Sequence, residues 1–224
     1  WMMVGRNEVR DISNYGTLTL DKVITKSSNI GTSKIALNIG PEPILDVLNR
    51  VGYGQVAGTG FPGERGGVLP SPQRWSRIEI ATLSYGYGLS ASALQIAQAY
   101  SVIADDGIKK PVSLLKLGQD ELETLPREQV IDPAIARQVQ DMLASVVDSS
   151  RGGAATDANI PFYSVAGKTG TAHVVGEFGY EENLHNSLFS GMVPASKIAS
   201  GAMRLLNVTP DKLPDDEAME LSSL

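Results

Sequence analysis

The chain has 224 residues, 42% of them hydrophobic and 20% charged, with 23 glycines and 12 prolines, which is enough polymer to bury a sizeable core and a composition typical of a folded, turn-rich protein. Nineteen Lys and Arg against 25 Asp and Glu leave a formal charge of -6 with no basic block, which argues against a nucleic-acid surface and against a polybasic membrane patch. Cysteine is absent and the two histidines are His173 and His185, so disulfides, thiolate catalysis and thiolate metal sites are excluded and no His-rich ligand spacing exists. No run approaches the roughly 18 apolar residues of a membrane span, so any membrane anchor is expected to lie outside these residues.

In chain order, the first polar cluster is Ser27-Ser28-Asn29, within a stretch that Asp21 could cap and that contains Val23, Ile24, Ile30 and Ile35. A hydroxyl two residues from a carboxamide can present both groups to one cleft when the segment is a short turn between helices. The same residues also suit an N-cap for the helix that follows. Pro43 then opens a helix with the stripe Ile44, Leu48 and Val51, stopped by Gly52.

Residues 52 to 74 are too rich in Gly and Pro for a helix or central strand and predict an ordered loop. Within it Gly58-Thr59-Gly60-Phe61-Pro62-Gly63 formally matches Gly-x-Gly-x-x-Gly, but Pro62 and the glycines after it cannot open the helix that a pyrophosphate needs. Ser90 or Ser92 caps a helix carrying Ile96, Tyr100 and Ile103, stopped by Gly107, and Val112 to Leu117 reads as an apolar strand. Asp132-Pro133 opens a longer helix with Ile135, Val139, Met142 and Val146, expected to close at Gly152-Gly153.

From Tyr163 to Val175 the residues turn β-branched and small, a polar turn covers Gly176 to Asn183, and Ser187 to Val193 is apolar again. This predicts a hairpin. Ile198, Ala202 and Leu205 give a final helix, and Thr209 to Leu224 is an acidic tail expected to fray.

Two chemistries compete for Gly167-Lys168-Thr169-Gly170-Thr171. A phosphate-binding P-loop needs Gly five residues before the Gly-Lys-Thr, where Phe162 stands. The alternative is an ammonium on a strand edge, beside hydroxyls and small residues that leave backbone open for an extended peptide to pair with. Such a site suits a peptide carboxylate.

Ser-x-Asn followed well downstream by Lys-Thr-Gly-Thr resembles the active-site set of the penicillin-binding proteins and serine β-lactamases. The stretches Lys26-Ser27-Ser28-Asn29-Ile30-Gly31, Gly60-Phe61-Pro62-Gly63-Glu64-Arg65, Tyr85-Gly86-Tyr87-Gly88-Leu89-Ser90 and Ala166 to Ala172 narrow it. Together they are similar to the class B, division-specific penicillin-binding proteins, from about Val4 to Leu213.

The resemblance implies an α+β transpeptidase fold, a mainly antiparallel sheet flanked by helices with an all-helical lobe, present in part over residues 1 to 208. It implies a D,D-transpeptidase that cross-links peptidoglycan stem peptides ending in D-Ala-D-Ala through a serine acyl-enzyme, is acylated by β-lactams, uses no cofactor, and works at the septum. Division-complex membrane proteins would be its partners, and it would be anchored in the inner membrane facing the periplasm. Ser27 would relay a proton near Lys168, and Asn29 would donate to the substrate amide. Lys168 would place positive charge beside Ser27 and the substrate carboxylate. Thr169 and Thr171 would bond that carboxylate, with the Thr171 N–H completing an oxyanion hole. Gly170 would leave room for the substrate backbone, and Tyr87 could line the cleft wall or simply pack.

Two departures accompany the resemblance. The family nucleophile lies in Ser-x-x-Lys upstream of Ser-x-Asn, and the 26 residues before Ser27 contain no such pattern. Ser113-Leu114-Leu115-Lys116 fits the pattern but follows Ser-x-Asn, so it reads as a decoy. Lys197 also begins the final helix almost directly after Val193, where family members carry further strands. The sequence therefore reads as retained parts of a longer polypeptide. A β-lactamase or D,D-carboxypeptidase of the same fold, or a non-catalytic penicillin-sensing domain, are the alternatives.

Overall fold

The computed structural model describes residues 1–70, 75–161, 163–176 and 179–193, excepting the side chains of 174–184. The final helix, the splice near Lys197 and the acidic tail lie outside the described residues.

Two strands, β1 (Met2–Val4) and β2 (Asn7–Val9), form an antiparallel hairpin closed at Gly5. Val4 and Val9 bury against Ala81 of α4 (Arg77–Leu83). Two helices follow, α1 (Leu20–Thr25) and α2 (Asn29–Ile39). Thr19, not Asp21, is the N-cap of α1; Asp21 sits in the first turn and accepts a hydrogen bond from the Thr19 hydroxyl, so its carboxylate serves the helix N-terminus from inside rather than from the cap. The next helix, α3 (Pro41–Arg50), starts two residues ahead of the expected Pro43 because Pro41 takes the first helical position after Gly40.

No regular element interrupts residues 52 to 70 beyond an isolated bridge between Val68 and Ser90. Gln95 of α5 (Ala93–Ala104) organises this loop from beneath. Fully buried, it donates from Nε2 to the carbonyls of Gly52 (3.2 Å), Gln55 (2.8 Å) and Gly66 (2.7 Å). Its Oε1 accepts from the Ser92 N–H while the Ser92 hydroxyl accepts from the Gln95 N–H, a capping box that fixes the start of α5 at Ser92.

A second small hairpin pairs β3 (Ile108–Lys109) with β4 (Glu128–Gln129), with the short helix α6 (Gln119–Thr124) between them. The expected strand at Val112 to Leu117 is an exposed loop instead: Leu114 and Leu115 are 58% and 80% exposed, and an apolar run with no neighbouring strand to bond stays irregular. The Ser113 hydroxyl donates to the Leu115 carbonyl, so this decoy serine is engaged within its own loop.

Helix α7 (Pro133–Val147) begins as predicted, with the Asp132 carboxylate accepting from the Ala134 and Ile135 N–H groups. It ends at Val147 rather than at Gly152, and its buried residues are Ala136, Leu143, Ser145, Val146 and Val147, while Ile135 faces solvent. The turn after it folds back onto the helix, with the Gly153 and Ala155 N–H groups donating to the carbonyls of Asp148 and Val146.

Strands β5 (Ala166–Gly176) and β6 (Gly179–Met192) form the long hairpin, in antiparallel register from Ala166↔Met192 to Gly176↔Gly179. The strands thus run through most of the expected polar turn. The opposed glycines Gly167 and Gly191 are covered by one ring: a Cβ at either would come within 2.7 Å of the Phe189 ring, so the aromatic lies flat where the pair leaves space.

One core cluster joins these pieces. Ile24 of α1, Tyr100 and Ile103 of α5, Val139 and Leu143 of α7, Ala166 of β5 and Met192 of β6 pack together, each fully buried aliphatic side chain contributing roughly 1.5–3 kcal/mol. Ile24 is three residues before Ser27 and Ala166 two before Lys168, so this core fixes where both groups emerge.

Candidate active site

Helix α1 ends in a motif that normally requires glycine. The Ser28 N–H donates to the Val23 carbonyl and the Ser27 N–H to the Ile24 carbonyl, the two bonds of a Schellman C-cap, which puts Ser27 in the left-handed position with φ +54°. An L-residue there costs about 1–2 kcal/mol relative to the right-handed region. The sequence keeps a serine where glycine is easier, and the result is an exposed hydroxyl aimed away from the helix.

Ser28 does the capping that the sequence left between these residues. Buried, it caps α2 by accepting from the Gly31 N–H at 2.9 Å and donates its own proton to Asp11 at 2.6 Å. Asp11 also accepts the Ile30 N–H at 3.0 Å. Gly31 allows the close approach of the two helices, since a Cβ there would sit 2.6 Å from Val23. Asn29 is the first residue of α2, and its carboxamide donates to the Arg10 carbonyl at 3.3 Å. It therefore borders the turn without touching Lys168.

The Lys168 ammonium donates to Ser27 Oγ at 2.9 Å and to the Thr169 carbonyl at 3.0 Å. Burial pushes its pKa below the ordinary lysine value, because a low-dielectric surrounding disfavours the charged form. Strand alternation gives Lys168 and Gly170 one face of β5 and Thr169 and Thr171 the other, where both threonines are exposed. Among the described residues β5 pairs with β6 alone, so its second edge offers backbone N–H and C=O groups to an extended peptide.

Tyr87 meets the same strand further along. Its hydroxyl oxygen accepts from the His173 N–H at 3.4 Å, and its ring lies edge-on to Tyr85 at 5.8 Å. The rings of His173 and His185 face each other across the hairpin at 4.4 Å. A hollow of about 840 Å³, lined among others by Trp1, Asp11, Tyr15, Ser28 and Lys34, flanks the turn on its Ser28 side and does not include Lys168.

Several supporting residues had no signal in the sequence. Asp11 holds Ser28, and the Thr25 and Ser145 hydroxyls meet at 2.6 Å in the core. Lys26 donates to the Gly152 carbonyl at 2.7 Å. Each partner is distant along the chain, and no local pattern marks it.

Residues 4–212 match the family described as the penicillin binding protein transpeptidase domain. The chain is 39% identical over 248 residues to the probable peptidoglycan D,D-transpeptidase PbpC of Pseudomonas aeruginosa, covering 98% of this chain and 43% of that relative. It is 35% identical over 239 residues to the peptidoglycan D,D-transpeptidase FtsI of Escherichia coli K12, covering 94% of this chain and 40% of the relative. Among solved structures, the apo transpeptidase domain of Burkholderia pseudomallei penicillin-binding protein 3 superposes with a TM-score of 0.80 at 37% identity, over 92% of this chain and 70% of that one. Penicillin-binding protein 3 of Mycobacterium tuberculosis in complex with ampicillin gives 0.77 at 29% identity, over 92% and 56%. The chain thus spans less than half the length of the curated relatives it matches. With the α+β fold, the Ser27–Lys168 contact and the match across residues 4–212 in agreement, the chain belongs to the penicillin-binding protein transpeptidase family.

Proposed function

We propose that this chain is part of a peptidoglycan D,D-transpeptidase that cross-links stem peptides during septal wall synthesis and is acylated by β-lactams. The observation that carries the reading is the 2.9 Å contact between Lys168 Nζ and Ser27 Oγ, on a strand that among the described residues is paired along one side alone. Residues 1 to 208 are assigned to part of the catalytic domain and 209 to 224, from their sequence, to an acidic tail. The nucleophilic serine and its lysine base, the Ser-x-x-Lys pair, come from polypeptide outside these residues. The enzyme faces the periplasm from a membrane anchor; no described helix is long and apolar enough to cross a membrane. Division-complex membrane proteins are its partners.

The chemistry follows from the site. A stem peptide adds to the open edge of β5 with its terminal carboxylate near the Lys168 ammonium and the exposed hydroxyls of Thr169 and Thr171. Gly170 presents no side chain to the incoming backbone. The nucleophilic serine attacks the carbonyl of the penultimate D-Ala, and the developing oxyanion is stabilised by backbone N–H groups, that of Thr171 among them. The C–N bond to the terminal D-Ala breaks, and the leaving amine takes its proton through Ser27, whose hydroxyl is held by Lys168. The lowered Lys168 pKa matters here: an amine that shares its proton more readily passes one more readily. Asn29 donates to the substrate amide after leaving the Arg10 carbonyl, and Tyr87 walls the cleft beyond Thr171. The amine of a neighbouring stem peptide then resolves the acyl-enzyme.

The test is covalent labelling of the full-length protein by a fluorescent penicillin. The wild type is expected to form a stable adduct and to hydrolyse a chromogenic cephalosporin slowly, and Lys168→Ala to label at least tenfold more slowly. Undiminished labelling of Lys168→Ala removes the role given to that residue. Rapid cephalosporin turnover selects a β-lactamase or D,D-carboxypeptidase instead, and absence of any covalent adduct selects the non-catalytic sensing or scaffold domain.

A further inference from the structure

We propose that Lys26 is a positioning residue: by clamping the end of α1 to the turn after α7, it holds Ser27 in the left-handed conformation that places its hydroxyl on Lys168. The inference rests on the transpeptidase reading for its catalytic consequence, but the clamp itself stands on geometry.

Ser27 occupies a backbone conformation that serine adopts reluctantly. Something must hold the turn there, because α1 has only six residues and cannot fix its own end by helical cooperativity. The holding groups lie on α7 and the turn behind it. Lys22 and Lys26, one helical turn apart, donate their Nζ protons to the consecutive carbonyls of Arg151 (2.8 Å) and Gly152 (2.7 Å). Arg151 is itself anchored by a two-pronged ion pair to Asp141 of α7, at 2.9 and 3.0 Å. Beneath them the buried Thr25–Ser145 hydroxyl pair joins the same two helices.

Lys26 differs from its companions in being the residue directly before Ser27. It is the C-cap of α1, and its side chain reaches across to the α7 turn while its backbone leads into the strained residue. A charge-assisted bond to a carbonyl is strong enough to resist unwinding of a single terminal turn. Gly152 is shaped for the contact. Its φ is +75°, which strains any other residue, and a Cβ there would lie 3.0 Å from Lys26 Nζ, so a side chain would push the ammonium by a few tenths of an ångström. Lys22 and Thr25 dock α1 as a body; Lys26 sets the direction in which the chain leaves it. The cost of losing it appears at the Ser27–Lys168 contact before it appears in folding.

The experiment uses the full-length protein with Lys26→Met and Lys26→Arg, each alone and with Ser27→Gly. Lys26→Met is expected to slow penicillin acylation roughly tenfold or more, the scale of a displacement of about an ångström at a reacting group. It is also expected to alter the pH profile of acylation, and to move the melting midpoint little. Lys26→Arg restores the wild-type rate. In the Ser27→Gly background the Lys26→Met change costs nothing further, because the residue it positions is gone. Lysine-selective 13C NMR supplies a readout independent of acylation: the Lys168 ε-carbon titration shifts in Lys26→Met and returns in Lys26→Arg. The proposal is overturned if Lys26→Met leaves the Lys168 titration unchanged, or if it slows acylation equally with and without Ser27. A wild type that forms no adduct overturns the transpeptidase reading alone, and the titration then decides the clamp.

Discussion

Lys168 Nζ and Ser27 Oγ lie 2.9 Å apart although 141 residues separate them. The contact is a product of packing, since Ile24 and Ala166, a few residues from each, belong to one buried cluster with Leu143 and Met192. Truncating Leu143 to Ala should therefore destabilise the fold by about 2–5 kcal/mol and loosen the site with it.

Ser27 offers a prediction with opposite signs for stability and activity. Because its φ is +54°, glycine is expected to be more stable than alanine at this position by about 1 kcal/mol, the reverse of the order inside a helix. Both substitutions should slow acylation by about a hundredfold or more through loss of the hydroxyl. Urea unfolding of the two variants beside the wild type is the check, and an alanine variant as stable as the glycine one contradicts the left-handed assignment.

The lowered pKa of Lys168 has a consequence for pH dependence. The unfolded chain keeps this proton up to about the ordinary value of 10.5, while burial makes the folded protein release it earlier. Between the two values the unfolded state binds more protons, so stability rises with pH in that window; below the folded value both states are protonated and the burial penalty is fully present. Lys168→Met lacks this rise. Stability measured from pH 7 to 10.5 should show the wild type gaining on the variant as pH increases, and parallel curves exclude a desolvated ammonium.

Neighbouring glycines on β5 should behave differently. A Cβ at Gly170 meets only the Leu188 side chain at ordinary contact distance, 3.4 Å, whereas one at Gly167 would lie 2.5 Å from the Phe189 ring and 2.7 Å from the Ser190 carbonyl. Gly170→Ala is expected to stay within about 0.5 kcal/mol of the wild type yet acylate more slowly. Gly167→Ala should destabilise by about 1–3 kcal/mol from overpacking. Thermal unfolding paired with penicillin labelling separates the two effects, and equal stability losses would contradict the placement of Phe189.

Gln95 tests the loop beneath α5. Replacing it with Leu leaves the carbonyls of Gly52, Gln55 and Gly66 without their shared donor, and a buried acceptor left unpaired costs about 1–3 kcal/mol. Amide exchange should then accelerate across residues 52 to 67 before it does so in α7. A variant with wild-type protection in this loop would show that the amide is not its organiser.

Much of the local structure was legible in the residues themselves. Asp132-Pro133, Ser92 and the alternating small and β-branched residues before and after the hairpin turn mark their elements, because caps and periodicity act over a few positions. The Val112–Leu117 run misled for the same reason: its apolar composition suits a strand, but a strand exists only where a partner supplies hydrogen bonds. The family resemblance rested on short motifs at Ser27, Tyr87 and Lys168, and the match over residues 4–212 agrees with it.

The sequence by itself determined which chemical groups are present, the Ser-x-Asn and Lys-Thr-Gly motifs, and the elements that carry them. Only the tertiary structure decided that Ser28 caps while Ser27 faces Lys168, that Asn29 rests on the Arg10 carbonyl, and that Lys26 reaches Gly152. The division has a physical cause. Propensity and capping are read from neighbours within a turn, whereas the direction of a side chain at the end of a helix depends on which distant surface packs against it, and that surface exists only once the core has closed.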